Sequence, residues 1–340
     1  MRLLNLLVTM LGLTAGVIAA ADGVVYEGKD GPGKGKHIVL LSGDEEYRSE
    51  EAMTQLGRIL AVRHGFKCTV LYAINPQSGE IDPLTKNNIP GIEALDSADM
   101  CVMLLRFREL PDEQMKHFVD FVNSGKPILG LRTSTHAFAY SKDSKSAYAK
   151  YDWKNKDWPG GFGRQVLGET WVAHHGWHAH EATLGIIEPS AKDHPILRGV
   201  TQVFGPTDVY TANPPADCTV LMRGEVLTGM NPNDPPVAGK QKPTDKYEKN
   251  NPMQPLVWLR NYTGETGKTS KIIATTMGCA VDLRSEGFRR ILVNACYWAL
   301  GFEDKISARN NVDIVGEYNA SGFGFGKFVK GLKPTDLQLK

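Results

Sequence analysis

Short apolar runs alternate with amphipathic stretches along most of this chain. His37–Leu41 (HIVLL) reads as a strand. Ser49–His64 follows with helical spacing, its Met53, Leu56, Leu60 and Val62 mostly on one side and Gly65 as the stop. Lys67–Tyr72 is a second strand. Asp99–Leu105 is a third, and its unbroken apolar run suits burial on both faces. Pro111 opens a second helix with Asp112 and Glu113 in its first turn, a buried stripe of Met115, Phe118, Val119 and Val122, and Gly125 at its end. Lys126–Leu131 is a fourth strand. Strands alternating with helices predict a parallel sheet covered by helices on both faces, an α/β fold of three layers.

The middle of the chain is less regular. Tyr140–Gly163 is aromatic and turn-rich, a long excursion. Glu181–Ile187 and Cys218–Met222 have strand character, and Leu227–Asn251 reads as a surface loop. Regularity returns with strands at Leu256–Arg260 and Lys271–Thr276. A helix capped by Ser285 then carries Phe288, Ile291, Leu292, Ala295, Trp298 and Ala299 on one face, with Gly301 as its stop. At the other end, Arg2, an uncharged apolar run from Leu3 to Ile18 and Ala19–Ala21 have the order of a cleavable export leader. The run is short for a membrane span. The expected organisation is a leader over 1–21, a flexible Gly- and Lys-rich linker over 22–36, one domain over 37–303, and a loosely attached Gly-rich tail over 304–340.

Composition narrows the function. The net charge is +1 with no block of like charges, which argues against a nucleic-acid partner. An exported chain freed of its leader has no further membrane contact to expect. The five cysteines are scattered and imply no disulfide framework. Nothing in the sequence sets an oligomeric state.

In an open parallel sheet, ligands bind beyond the carboxyl ends of the strands. That rule selects Asp44, Glu46 and Tyr47 after the first strand and Arg106 after the third. It selects Arg132, Thr133 and His136 after the fourth, and Met277 and Gly278 after the late one. The densest chemical signal lies elsewhere. His174, His175, His178 and His180 fall between Trp171 and Glu181, with Trp177 among them. Imidazole is both a metal ligand and an acid or base near neutral pH. In an extended segment His174, His178 and His180 share a face, an arrangement open to a divalent metal such as zinc. A metal-free pocket wall and backbone capping are the competing readings. Trp177 offers a flat surface to a sugar ring. Asp208 is a carboxylate able to orient a histidine or accept a sugar hydroxyl.

The segments HIVLLSGDEEYRSEEAM, LLRFREL, GLRTSTHAF, VLGETWVAHHGWHAH, DHPILRGV, PTDVY and TTMGCAVDLRSEGFRRILVNACYWALG occur in that order. Together, from about His37 to Phe302, they resemble the trehalose-utilisation (ThuA-like) family. The resemblance implies a flavodoxin-like fold related to class I glutamine amidotransferases and a role in using disaccharides or their 3-keto derivatives. In amidotransferases a cysteine nucleophile follows a central strand, whereas Arg132 stands at that turn here, so glutaminase activity is not expected. Where many relatives carry His after Thr-Thr-x-Gly, this chain has Cys279. The resulting expectation is an exported protein acting on a small carbohydrate. His136 would be the general acid/base, assisted by a clustered histidine such as His175. Arg132 would steady an oxyanion, and Asp208 and Glu46 would orient the sugar or a histidine. A non-catalytic sugar-binding or scaffold protein, and a metal-dependent hydrolase built on His174, His178 and His180, are the alternatives.

Overall fold

The computed structural model describes residues 22–339. The expected leader over 1–21 lies outside the described residues. Within them, no helix is long and apolar enough to cross a membrane.

Ten strands form one sheet. They are β1 (Gly23–Tyr26), β2 (His37–Gly43), β3 (Lys67–Tyr72), β4 (Met100–Leu105), β5 (Ile128–Leu131), β6 (Thr183–Ile187), β7 (Val203–Gly205), β8 (Thr219–Val226), β9 (Gln254–Thr263) and β10 (Thr269–Thr275). Their order is β1-β3-β2-β4-β5-β10-β9-β8-β6-β7. The centre, β3-β2-β4-β5-β10, is parallel. In chain order those strands run 2-1-3-4-5, the flavodoxin-like winding, and the direction of winding reverses between β2 and β4. The flanks add antiparallel strands to this parallel centre. β1 is antiparallel to β3, and β9, β8, β6 and β7 each run antiparallel to the strand before them in the sheet. A five-residue turn over 264–268 joins β9 to β10, too short for the crossover a parallel pair requires.

Helices cover both faces. α1 (Ser49–His64) and α3 (Glu286–Ala299) pack one side through Met53, Leu56, Leu60, Phe288, Ile291 and Leu292. α2 (Asp112–Val122) covers the other through Met115, Phe118 and Val122. All six residues of β4 are buried, as its apolar run predicted. Gly65 ends α1 at φ 80°, its N–H donating to the Ala61 carbonyl at 3.0 Å. Tyr151 and Phe162 anchor the 140–163 excursion in the α2-side core.

Both ends of the domain are tighter than the sequence suggests. The expected flexible linker over 22–36 contains β1, an edge strand of the sheet. Its glycines serve close approach, since a Cβ on Gly28 would lie 2.3 Å from the Gly65 carbonyl carbon. The expected loose tail wraps back over α1 and α3. Ile306, Val312, Val315 and Ala320 are buried in the α1/α3 core. Gln55 on α1 both donates to and accepts from the Val315 backbone, at 3.3 and 3.1 Å, and Arg289 on α3 donates to the Val312 carbonyl at 2.6 Å. The tail has few apolar residues, and polar side chains of α1 and α3 hold its backbone. Hydrophobic periodicity does not register that kind of attachment.

Candidate functional site

A cavity of about 280 Å³ opens where β2, β4 and β5 end, at the reversal of winding. Glu46 and Tyr47 reach it from β2, Arg106 and Phe107 from β4, and Arg132, Thr133 and His136 from the turn after β5. Trp171, His174 and His178 come from the histidine segment, and Asp208 and Tyr210 from the loop after β7. Four non-glycine residues among those described have positive φ: Arg48, Phe107, Arg132 and Ala179. Each lines this cavity or adjoins a residue that does. Such strain persists where the surroundings hold a side chain in a required place.

Arg132, at φ 40°, is the organising charge. Its guanidinium is buried, lies 3.9 Å from the centre of the Tyr47 ring, and donates to the Asp208 and Thr276 carbonyls at 2.9 and 2.8 Å. It also meets the Asp208 carboxylate at 2.9 Å. Burial opposes its charge, but Tyr47, Asp208 and Asp282 together hold its pKa above the ordinary value. Most of its N–H groups are thus spent on the protein, which limits the oxyanion role expected from sequence. No cysteine stands on this turn, which reads Arg132-Thr133-Ser134-Thr135-His136. The Cys279 thiol is buried, and burial raises its pKa.

Asp208 is buried and holds His178. Its Oδ1 lies 2.7 Å from His178 Nδ1, and His178 Nε2 lies 3.0 Å from His174 Nδ1. Burial alone would raise the Asp208 pKa, yet the His178 hydrogen bond and Arg132 bring it below its ordinary value. With His178 donating from Nδ1, its Nε2 accepts from His174 Nδ1, and His174 Nε2 is left with a lone pair at the outer end of the chain. Burial and then His178 lower the His174 pKa, so that ring is neutral at neutral pH. Glu46 shifts the other way. Burial, against the pull of Arg106 at 3.2 Å, raises its pKa from the ordinary carboxylate value.

The structure divides the candidates. Glu46, Tyr47, Arg106, Arg132, Thr133, His136, His174, His178 and Asp208 converge on the cavity. His136 sits among Phe107, Trp153 and Trp171 with ring centres 5.0–6.2 Å away. Burial, then Arg106, Arg132 and His174, push its pKa well down, and no carboxylate is hydrogen-bonded to it. The other candidates do not line the cavity. His175 turns to the Lys249 carbonyl at 2.7 Å. Trp177 lies against His180 with ring centres 4.0 Å apart, and His180 is outside the group whose ligand atoms come together. Asp44 is fully buried, accepting from the Glu46 and Tyr47 amides and from Thr133, so it shapes the loop. Met277 is buried in the α1/α3 core, and Gly278 donates to Asp282 at 3.0 Å. Asp208 takes the place expected of His180: His174, His178 and Asp208 offer ligand atoms all within 4.8 Å of one another. Five lining residues were not singled out beforehand: Phe107, Trp171, Tyr210, Phe323 and Phe325. The last two belong to the tail.

The winding and the cavity at its reversal define a flavodoxin-like α/β protein with a cavity at the switch point. The chain belongs to the ThuA family, described as trehalose utilisation, whose sequence profile matches residues 39–299. Among solved structures, a putative ThuA-like protein from Bacteroides uniformis is 16% identical, with a TM-score of 0.49 over 81% of this chain and 95% of its own. One from Parabacteroides merdae is 14% identical, with a TM-score of 0.48 over 85% and 97%. No curated protein matches the chain significantly.

Proposed function

We propose that this chain is an exported carbohydrate-active enzyme that moves a proton on a disaccharide or a 3-keto sugar, with the Asp208–His178–His174 chain as its base. The observation that carries this reading is the hydrogen-bonded order of those three groups along the wall of one cavity, from buried Asp208 to exposed His174. A buried carboxylate fixes the tautomer of the first imidazole, and that imidazole fixes the second. The result is a neutral, partly exposed nitrogen able to accept a proton. Glu46, with its raised pKa, lines the same cavity and can return one. The His174 pKa is shifted down and that of Glu46 up, which narrows the gap between the group that takes a proton and the group that returns one. Arg132 keeps Asp208 ionised. The carbohydrate class is supported by the family's description and by aromatic faces set beside charged groups, which suit the apolar face and polar rim of a pyranose.

The test uses trehalose and its 3-keto derivative as substrates for purified protein. His178→Gln should lower kcat by at least about a hundredfold, whereas His136→Gln should cost about tenfold or less. Full turnover in H178Q would overturn the proton-transfer role.

A second reading rests on the same three residues. Two imidazoles and a carboxylate within 4.8 Å suit zinc or another first-row divalent ion. Such an ion would polarise a carbonyl or acidify a water. Metal analysis of protein purified without chelator separates the readings: about one equivalent in wild type, lost in His174→Ala, favours the ion, and a metal-free active enzyme favours the relay.

A further inference from the structure

The cavity described above is not closed by the family-matched part of the chain alone. Residues 39–299 match the family, yet two of the lining side chains, Phe323 and Phe325, come from beyond them. We propose that the segment Ser321–Gly326 is a strap whose two phenylalanines form an aromatic platform for a pyranose ring and so set which sugars the pocket accepts. This inference rests on the carbohydrate reading and deepens it.

The segment reads Gly322-Phe323-Gly324-Phe325-Gly326, bulky rings separated by residues without side chains. Its backbone is pinned at the middle glycine. The Gly324 amide donates to the Glu46 carbonyl at 2.8 Å, and the Gly324 carbonyl accepts from Arg48 Nη2 at 2.6 Å. Both anchors flank Tyr47, a wall of the cavity. The strap is therefore hydrogen-bonded directly to the loop that carries the site.

The rings are placed differently. Phe323 stacks on Tyr47 at 5.9 Å and 27°, with its centre 4.9 Å from that of His178. Phe325 is 60% exposed at the cavity mouth, and the Arg106 guanidinium lies 5.1 Å from its centre. A phenylalanine this exposed gains little from folding. Glycines 322 and 326 have open space where a Cβ would stand, so packing does not require glycine there. At Gly326, directly after Phe325, the backbone takes φ 66°, in the left-handed region that favours glycine. An exposed aromatic on the rim of a cavity that charged groups line, carried by a segment hydrogen-bonded to the site loop, fits a part that meets a ligand. Around it stand Arg106, Glu46 and His174, able to bond the hydroxyl rim of a sugar whose C–H face lies on the rings.

The experiment is calorimetric titration of trehalose into wild type, Phe323→Leu/Phe325→Leu, and Phe323→Tyr/Phe325→Tyr. Leucine keeps the apolar bulk and removes the flat face, whereas tyrosine keeps the face. The double leucine variant should bind about tenfold more weakly at an unchanged melting temperature, and the tyrosine variant should bind within about threefold of wild type. If the double leucine variant fails to fold, Phe325→Leu at its exposed position carries the test, with several-fold weakening expected. Equal trehalose affinity in wild type and the leucine variants would overturn the platform and leave the carbohydrate reading standing. Failure of wild type to bind trehalose would bring down the carbohydrate reading, and the platform's ligand class with it.

Discussion

At the scale of single residues, the site is governed by the pairing of Arg132 with Asp208. Both are buried, so each would be a stranded charge without the other. Asp208→Ala should therefore destabilise the protein by about 3–5 kcal/mol at neutral pH, read by urea unfolding. The pH dependence has a definite sign. The folded Asp208 pKa lies below its ordinary value, so its contribution is complete above the unfolded carboxylate pKa and is lost as pH falls through the folded one. The gap between wild type and Asp208→Asn should accordingly narrow in strong acid. A gap that is constant from pH 7 to pH 2 would contradict this. The pair also marks what was legible in the sequence. Arg132 and Asp208 were both visible as polar residues at strand ends or in loops. Their mutual contact was not, because 76 residues separate them and no periodicity links them. From the sequence, His136 is the expected general acid/base and His178 a member of the expected metal trio. The Asp208 contact of His178 is set by the tertiary fold.

At the scale of an element, α1 carries opposing titrations at its two ends. Glu50, in its first turn, is buried with both oxygens unpartnered, and burial, against Arg48, pushes its carboxyl up to about 7. His64, in its last turn, is brought down to about 4 by burial, its Nδ1 3.0 Å from the Tyr297 hydroxyl and its Nε2 unpartnered. For Glu50 the folded pKa is raised, so stability is lost as pH rises from the unfolded carboxylate value through about 7. For His64 it is lowered, so stability is lost as pH falls from the unfolded imidazole value through about 4. The two slopes oppose each other in mild acid, and each amounts to about 3 kcal/mol over its full range. Glu50→Gln should raise stability by about this amount at pH 8 and leave a curve that climbs with pH through mild acid. His64→Gln should leave one that falls. Chemical denaturation at pH 4.5, 6 and 8 reads both, and no gain at pH 8 in E50Q would refute the assignment. The helix itself was plain in the sequence, from its apolar stripe to Gly65. The burial of its polar ends was not, because the tail that covers them is distant in the chain.

At the scale of the molecule, the tail converts a wound sheet with helices on both faces into a belted one. Leaving α3, it crosses α1, its Leu332 carbonyl meets the Ile81 amide at 2.8 Å, and its Leu337 carbonyl meets the Tyr26 hydroxyl at 2.7 Å beside the edge strand β1. The last segment of the chain thereby braces the first strand. Burial of Val312 and Val315 alone contributes about 3–5 kcal/mol, a large part of the 5–15 kcal/mol typical of a folded domain. Deleting residues 307–340 should therefore lower the melting temperature by about 10 °C or more, or leave the chain insoluble. A milder variant separates bracing from bulk. Gln55→Ala breaks both hydrogen bonds to the Val315 backbone and strands its buried amide and carbonyl, at about 1–3 kcal/mol. Because Gln55 does not line the cavity at the strand ends, this variant should keep the proposed trehalose affinity within about twofold while it loses stability. If Q55A melts with wild type, or if the truncated chain does, the tail is an appendage on a complete domain, and the belt is no part of what holds the fold together.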